Sequence, residues 1–198
     1  MLGKREFYRI KTPPIPTMET CLLGEKPDLP FGPHMSRQTD IHEHLATLYL
    51  LTVEHNLKNV LELGTRTGES TIALLYAAKR IGGIVHSFDL NPCELAKKQV
   101  AEYGLTEFWR FKQADDLDVE WDSPIDHLFV DTTHLYDQTL KELQKFEPHV
   151  KSGGIITMHD IVLYPDVKKA IVNYFKGRSD FRLYEYINNN GLAVIFKS

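Results

Sequence analysis

The chain reads as an α/β domain: a doubly wound, mostly parallel sheet with helices on both faces and an antiparallel hairpin at its C-terminal end. Three observations predict it. From Asp40 onward, short apolar runs alternate with longer stretches of helical periodicity. Glycine, proline or asparagine punctuates most of the boundaries. The last two strand-like runs, residues 181–186 and 192–196, are joined by Asn188-Asn189-Asn190-Gly191, and Asn-Gly between apolar flanks is a hairpin signal.

Residues 1–38 stand apart. Pro13, Pro14, Pro16, Pro27, Pro30 and Pro33 fall there, with Gly24 and Gly32 between them, so no long helix or central strand fits. This stretch is expected to be an extended arm or a lid, with Tyr8, Phe31, His34 and Met35 as candidate lining, and the folded domain is expected over 39–198. Asp40 and Glu43 have capping-box spacing, and Ile41, Leu45, Leu48 and Leu51 then share a helical face. Residues 59–63 form a first strand closed by Gly64. Residues 70–80 are apolar nearly all round, which predicts a buried helix ended by Gly82-Gly83. A second strand covers 84–88. Asn91 is placed to cap the next helix, with Pro92 at its first position, Glu94 reaching back and Gly104 as its stop. Strands follow over 107–112 and 125–130. Tyr136, Leu140, Leu143 and Val150 mark an amphipathic helix ended by Ser152-Gly153-Gly154, before a fifth strand over 155–158. Val167, Ala170, Ile171, Tyr174 and Phe175 give a helix lying on the sheet.

Composition narrows the function. Of 198 residues, 42% are hydrophobic and 25% charged, which sustains a core and excludes global disorder. The longest apolar run, 72–78, is far too short for a bilayer, and residues 1–10 mix Lys4, Arg5, Glu6 and Arg9 without a secretory core. Two cysteines, Cys21 and Cys93, make no disulfide framework, so a reduced cytoplasm is expected. The net charge is −4 and basic pairs are scattered, which argues against nucleic acid and for a small-molecule acceptor. A homo-oligomer stays open.

The stretch Val60-Leu-Glu62-Leu-Gly64-Thr65-Arg66-Thr-Gly68-Glu-Ser70 carries the most information. A strand runs through a glycine turn into a helix whose N-terminal N–H groups suit a carboxylate or phosphate. A dinucleotide site requires G-x-G-x-x-G; Arg66 stands at the second glycine, which argues against a nicotinamide-dependent oxidoreductase. The pattern present is E-x-G-x-x-x-G. Asp89 ends the second strand, where a carboxylate can accept from ribose hydroxyls, and Asp115 and Asp116 follow the third, where an acid can accept from an adenine amino group.

With these residues in view, the chain resembles the nucleotide half of class I S-adenosylmethionine-dependent methyltransferases over about residues 40–198. The resemblance implies a Rossmann-like, seven-stranded sheet whose last strand is antiparallel. It also implies that Gly64, Thr65 and Gly68 shape the loop and Glu62 orients the methionine end. Ser70 would bind the methionine carboxylate, Asp89 the ribose, and Asp115 or, less well placed, Asp116 the adenine.

Methyl transfer from a sulfonium leaves the protein to align an acceptor and remove its proton. Strand four ends in Asp131-Thr-Thr-His134 and strand five in Met158-His159-Asp160. Two carboxylates and two imidazoles so placed suit Mg²⁺ or another divalent cation such as Mn²⁺ or Fe²⁺. The layout is similar to catechol-type metal-dependent O-methyltransferases, and to bacterial natural-product and sugar methyltransferases with an aspartate and a histidine after strand four. That resemblance implies metal ligands at Asp131, His159 and Asp160. Where the catechol type has a lysine base, His134 stands, and His159 is a second candidate for proton transfer. Rival readings are a non-catalytic or nucleic-acid-directed binder of the same cofactor.

Overall fold

Residues 8–9 and 29–198 are described by the computed structural model. The short helix α1 (Gly32–Ser36) and a 3₁₀ turn lead into α2 (Leu45–Glu54). Then come β1 (Asn59–Leu63), α3 (Glu69–Ile81), β2 (Ile84–Asp89), α4 (Glu94–Glu102), β3 (Trp109–Gln113) and β4 (Ile125–Val130). The chain finishes with α5 (Tyr136–Phe146), β5 (Val150–His159), α6 (Pro165–Phe175), β6 (Phe181–Tyr186) and β7 (Leu192–Lys197). Across the sheet the order is β6-β7-β5-β4-β1-β2-β3. All pairs are parallel except those of β7, which runs antiparallel to β5 and β6. The seven strands and the terminal hairpin match expectation; the pair Tyr8–Arg9 extends the sheet beyond β6, parallel to it.

Strand order reverses between β1 and β4, and an open sheet receives ligands at the carboxyl ends beside such a reversal. The pleat sorts the side chains of β1 to two faces. Val60 packs with Phe31, Leu45, Leu48, Leu51 and Ile72 on the face of α1–α4. Leu61 and Leu63 pack with Leu143, Phe146 and Ile171 under α5 and α6. Among the described residues no helix is long and apolar enough to cross a membrane.

Four local readings differ. Ser152-Gly153-Gly154 lie inside β5, where pairing jumps from Ile125–Val150 to His127–Ile155. The preceding helix stops at Phe146, in front of a 3₁₀ turn containing Pro148, which cannot donate to the helix ladder. Asp40 caps nothing, because its carboxylate pairs with Arg66 at 2.6 Å. Asn91 lies outside α4, whose cap position is Cys93, and turns back onto Asp89. Phe31, His34 and Met35 are buried rather than lining a lid, and His34 Nδ1 sits 2.6 Å from Glu69 Oε2. Tyr8's side chain, like Cys21, lies outside the described residues.

Candidate active site on the carboxyl rim

β1 delivers Glu62 to the α3 side, directly beneath the glycine turn. Its carboxyl is fully buried and accepts hydroxyls from Ser70 (2.7 Å), Thr71 (2.8 Å) and Ser87 (2.6 Å), with Thr65 at 3.5 Å. Burial pushes its pKa up to about 7, against the opposing pull of those hydroxyls. Glu62 and Ser70 therefore meet each other, and Ser70's hydroxyl is already engaged. Asp89 pins the turn from the other side: Oδ2 accepts the N–H groups of Thr65 and Arg66, both at 2.9 Å, and Oδ1 accepts that of Asn91 at 2.7 Å. Burial would raise the Asp89 carboxyl, but these N–H donors outweigh it and hold it below its ordinary range.

Gly64 (φ 89°) and Gly68 (φ 91°) both need the left-handed region. Gly64 also leaves no room for a side chain, since a Cβ there would lie 1.9 Å from the Asp131 carbonyl oxygen. The cofactor turn and the end of β4 thus touch through backbone. Arg66 takes φ 46°, a glycine-like conformation reached by an arginine whose side chain turns to Asp40. Asp115 is half-buried and accepts Leu117 N–H at 2.9 Å. Asp116 turns inward, where Gln138 bridges it (3.3 Å) to buried Glu142 (2.9 Å). Both acids are held above their ordinary range, first by burial and then by a neighbouring acid.

The ends of β4 and β5 bring Asp131, His134 and Asp160 together, with one ligand atom from each lying within 4.8 Å of the others. His134 (φ 60°) and Asp160 (φ 64°) both adopt the left-handed region that non-glycine residues avoid, a form of strain that gathers at functional sites. His134 Nε2 donates to Asp160 Oδ2 at 2.7 Å and lies 3.3 Å from Asp131 Oδ1. Its ring stacks on Tyr164, with centroids 4.2 Å apart and planes 6° from parallel. His159 stands one step back. Its Nε2 faces the Asn189 carbonyl at 3.1 Å and so carries the proton. Its Nδ1 is 3.6 Å from both Asp131 Oδ1 and Asp160 Oδ2. The tight cluster therefore contains His134 where the sequence reading put His159 among the metal ligands.

Burial alone would lower both imidazoles, but the Asp131 and Asp160 carboxylates beside them prevail. His134 is pushed up to about 9 and His159 to about 10. Above the unfolded value of about 6.5 the folded chain keeps protons that the unfolded chain loses. The quartet's contribution is therefore complete below that pH and fades as pH rises through the folded values. In a chelator, we expect unfolding free energy to fall by roughly 2–4 kcal/mol between pH 6.5 and 10. The His159→Gln variant should show a flatter profile in denaturant titrations; a wild-type profile that climbs over this range contradicts the arrangement.

The model of a methyltransferase domain family matches residues 61–161, just over half of the chain and every position from Glu62 to Asp160 described above. The chain belongs to that family. The nicotinamide reading is thereby set aside. In fold, this methyltransferase domain is similar to a methyltransferase from Geobacter sulfurreducens (17% identity, 91% of this chain and 96% of that one, TM-score 0.70). It is similar also to the O-methyltransferase from Bacillus cereus in complex with S-adenosylhomocysteine (SAH; 16%, 96% and 94%, 0.66). A third likeness is to TomG of Streptomyces achromogenes, an O-methyltransferase of tomaymycin synthesis in complex with S-adenosylmethionine (19%, 91% and 86%, 0.63).

Sequence reasoning missed Tyr164, Glu142 and the hairpin carbonyl of Asn189. Tyr164 precedes a helix-starting proline, which signals a loop but not a ring stacked on a histidine. Glu142 lies on the buried face of α5, and an acid there was the available signal.

Proposed function

We propose that the methyltransferase domain binds S-adenosylmethionine across the carboxyl rim and moves its methyl group to a hydroxyl oxygen of a small molecule. One observation carries this reading: Gly64 abuts the backbone of Asp131, so the cofactor turn and the acid–imidazole cluster form one site. The two O-methyltransferases of like fold support it. Gly64, Thr65 and Gly68 would shape the turn, with Glu62 as its buried brace. Ser70 would meet the methionine carboxylate through its first-turn backbone N–H, its hydroxyl being held by Glu62. Asp89 would meet the ribose and Asp115 the adenine; Asp116, turned toward Glu142, is the poorer candidate.

S-adenosylmethionine supplies an electrophilic methyl group on sulfur. Asp131 and Asp160 fit a hard divalent cation: two converging carboxylates, with Asp160 Oδ1 buried and unpartnered. Such a cation would hold the acceptor oxygen and lower its pKa. The candidate base is His134, which would act at Nε2 only after shedding the proton it now shares with Asp160 and Asp131, and the Asn189 carbonyl would orient the His159 ring. The division at residues 38 and 39 belongs to the same proposal, with buried Phe31, His34 and Met35 securing the end of the arm. So does a cytoplasmic location.

Titration calorimetry with SAH tests the cofactor assignment: binding is expected, NADH is expected to give no heat, and silence with SAH overturns it. EDTA is expected to slow tritiated-methyl transfer to phenols by at least about 100-fold, restored by Mg²⁺ or Mn²⁺. An unchanged rate removes the cation.

A further inference from the structure

Every large hydrophobic side chain that stands exposed among the described residues lies on the carboxyl rim. Leu135 follows His134, Val162, Leu163 and Tyr164 occupy the β5–α6 loop, and Ile187 opens the hairpin turn, with exposures from 40% for Tyr164 to 61% for Leu135. The other two, Leu90 and Leu95, follow β2 on the far side of the glycine turn. Of the first five, Tyr164 contacts the acid–imidazole cluster itself, and Val162 and Leu163 hold the hairpin beside it. Tyr164 stacks on His134, the Val162 and Leu163 N–H groups donate to Asn190 O, and Tyr164 N–H donates to Asp160 O.

Several polar side chains of the same three loops are already engaged by protein, although Thr133 stands exposed. Thr132 donates to Glu142, Asn188 to Glu43, and Asn189 both donates to the Thr39 carbonyl and accepts from Glu43 N–H. With Thr132, Asn188 and Asn189 so engaged, fewer side-chain donors and acceptors of these loops are left to recognise a polyol. At the floor, Asp160 Oδ1 is buried without a hydrogen-bond partner. Whatever covers this rim must be apolar over its body and polar at the end that reaches the floor.

Resting on the methyltransferase reading above, we infer that the acceptor is a hydroxylated hydrophobic small molecule. Its apolar body lies on Leu135, Leu163 and Ile187 while its hydroxyl reaches Asp131 and Asp160. Free sugars and nucleotides are disfavoured, since they would exchange water for a largely apolar surface that returns few hydrogen bonds. This separates the two kinds of enzyme that the Asp131 and His134 spacing resembles, in favour of the non-sugar one.

The test is calorimetry of 4-alkylphenols, ethyl to hexyl, against methyl glucoside, each with and without saturating SAH. Affinity is expected to rise about three- to fourfold per methylene until the rim is covered. In Leu163→Asp and Leu135→Asp the rise should drop below about twofold, while Leu95→Asp, on the other side of the rim, keeps the full slope. Affinity independent of chain length overturns the inference, as does methyl glucoside binding as tightly as hexylphenol. A slope unchanged in both rim variants, or a rim whose substitution alters only self-association in sedimentation, also overturns it. Absence of SAH heat in the same cell would sink the cofactor assignment alone, because the phenol slope is read independently.

Discussion

Asp160→Asn and Asp131→Asn are each expected to slow methyl transfer by about 100- to 1,000-fold, or roughly 3–4 kcal/mol of transition-state stabilisation. SAH affinity should stay within about threefold of wild type, because the Glu62 and Asp89 networks that brace the turn are untouched. The amide replacement matters. Asp160 sits at φ 64°, which asparagine tolerates, so the backbone is preserved while the charge is lost. Each variant leaves His134 with one carboxylate instead of two, and its proton affinity drops with the lost hydrogen bond. Mn²⁺ affinity should fall in parallel with the rate. If either variant retains wild-type turnover on the best phenol acceptor, the acid–imidazole cluster is not the reaction centre.

Much of the frame was legible because it rests on local chemistry. The strands at 59–63, 84–88 and 125–130 and the terminal hairpin were visible as β-rich runs bounded by turn residues, and burial on both faces confirms the reason. Local signals failed where a distant partner outbid them. Asp40 has the spacing of a cap, yet Arg66 takes it; Ser152-Gly153-Gly154 has the look of a helix end, yet Pro148 acts first. At the site, sequence placed Asp131, His134, His159 and Asp160 on neighbouring strand ends but could not say which of them meet. That depends on backbone sign. The left-handed φ at His134 and Asp160 turns their side chains into a 2.7 Å contact, while regular strand geometry keeps His159 buried behind them. No spacing rule reports the sign of φ at a non-glycine residue. The resemblance makes Gly64 and Gly68 shapers of a cofactor loop; at Gly64 the immediate neighbour is the protein's own strand end.

That neighbour makes Gly64→Ala the most damaging small substitution expected in the chain. A methyl group would press on the Asp131 carbonyl oxygen, with its carbon only 2.8 Å away. Neither side can yield easily: Asp131 N–H donates to Leu63 O at 2.8 Å, and Gly64 N–H donates to Phe88 O at 2.9 Å. Gly82 offers the control, because it also has positive φ, at 69°, but nothing lies within 4 Å of the place a methyl group would take there. Gly82→Ala should therefore cost only the left-handed penalty of about 1–2 kcal/mol. Gly64→Ala carries that penalty plus the overpacking term, and should lose roughly 3–5 kcal/mol in urea titrations. Because the clash pushes the cofactor turn away from the end of β4, any folded fraction should also lose SAH affinity and turnover together. Equal losses for the two alanines would mean that the turn and Asp131 do not touch, and the single-site reading would lose its physical basis.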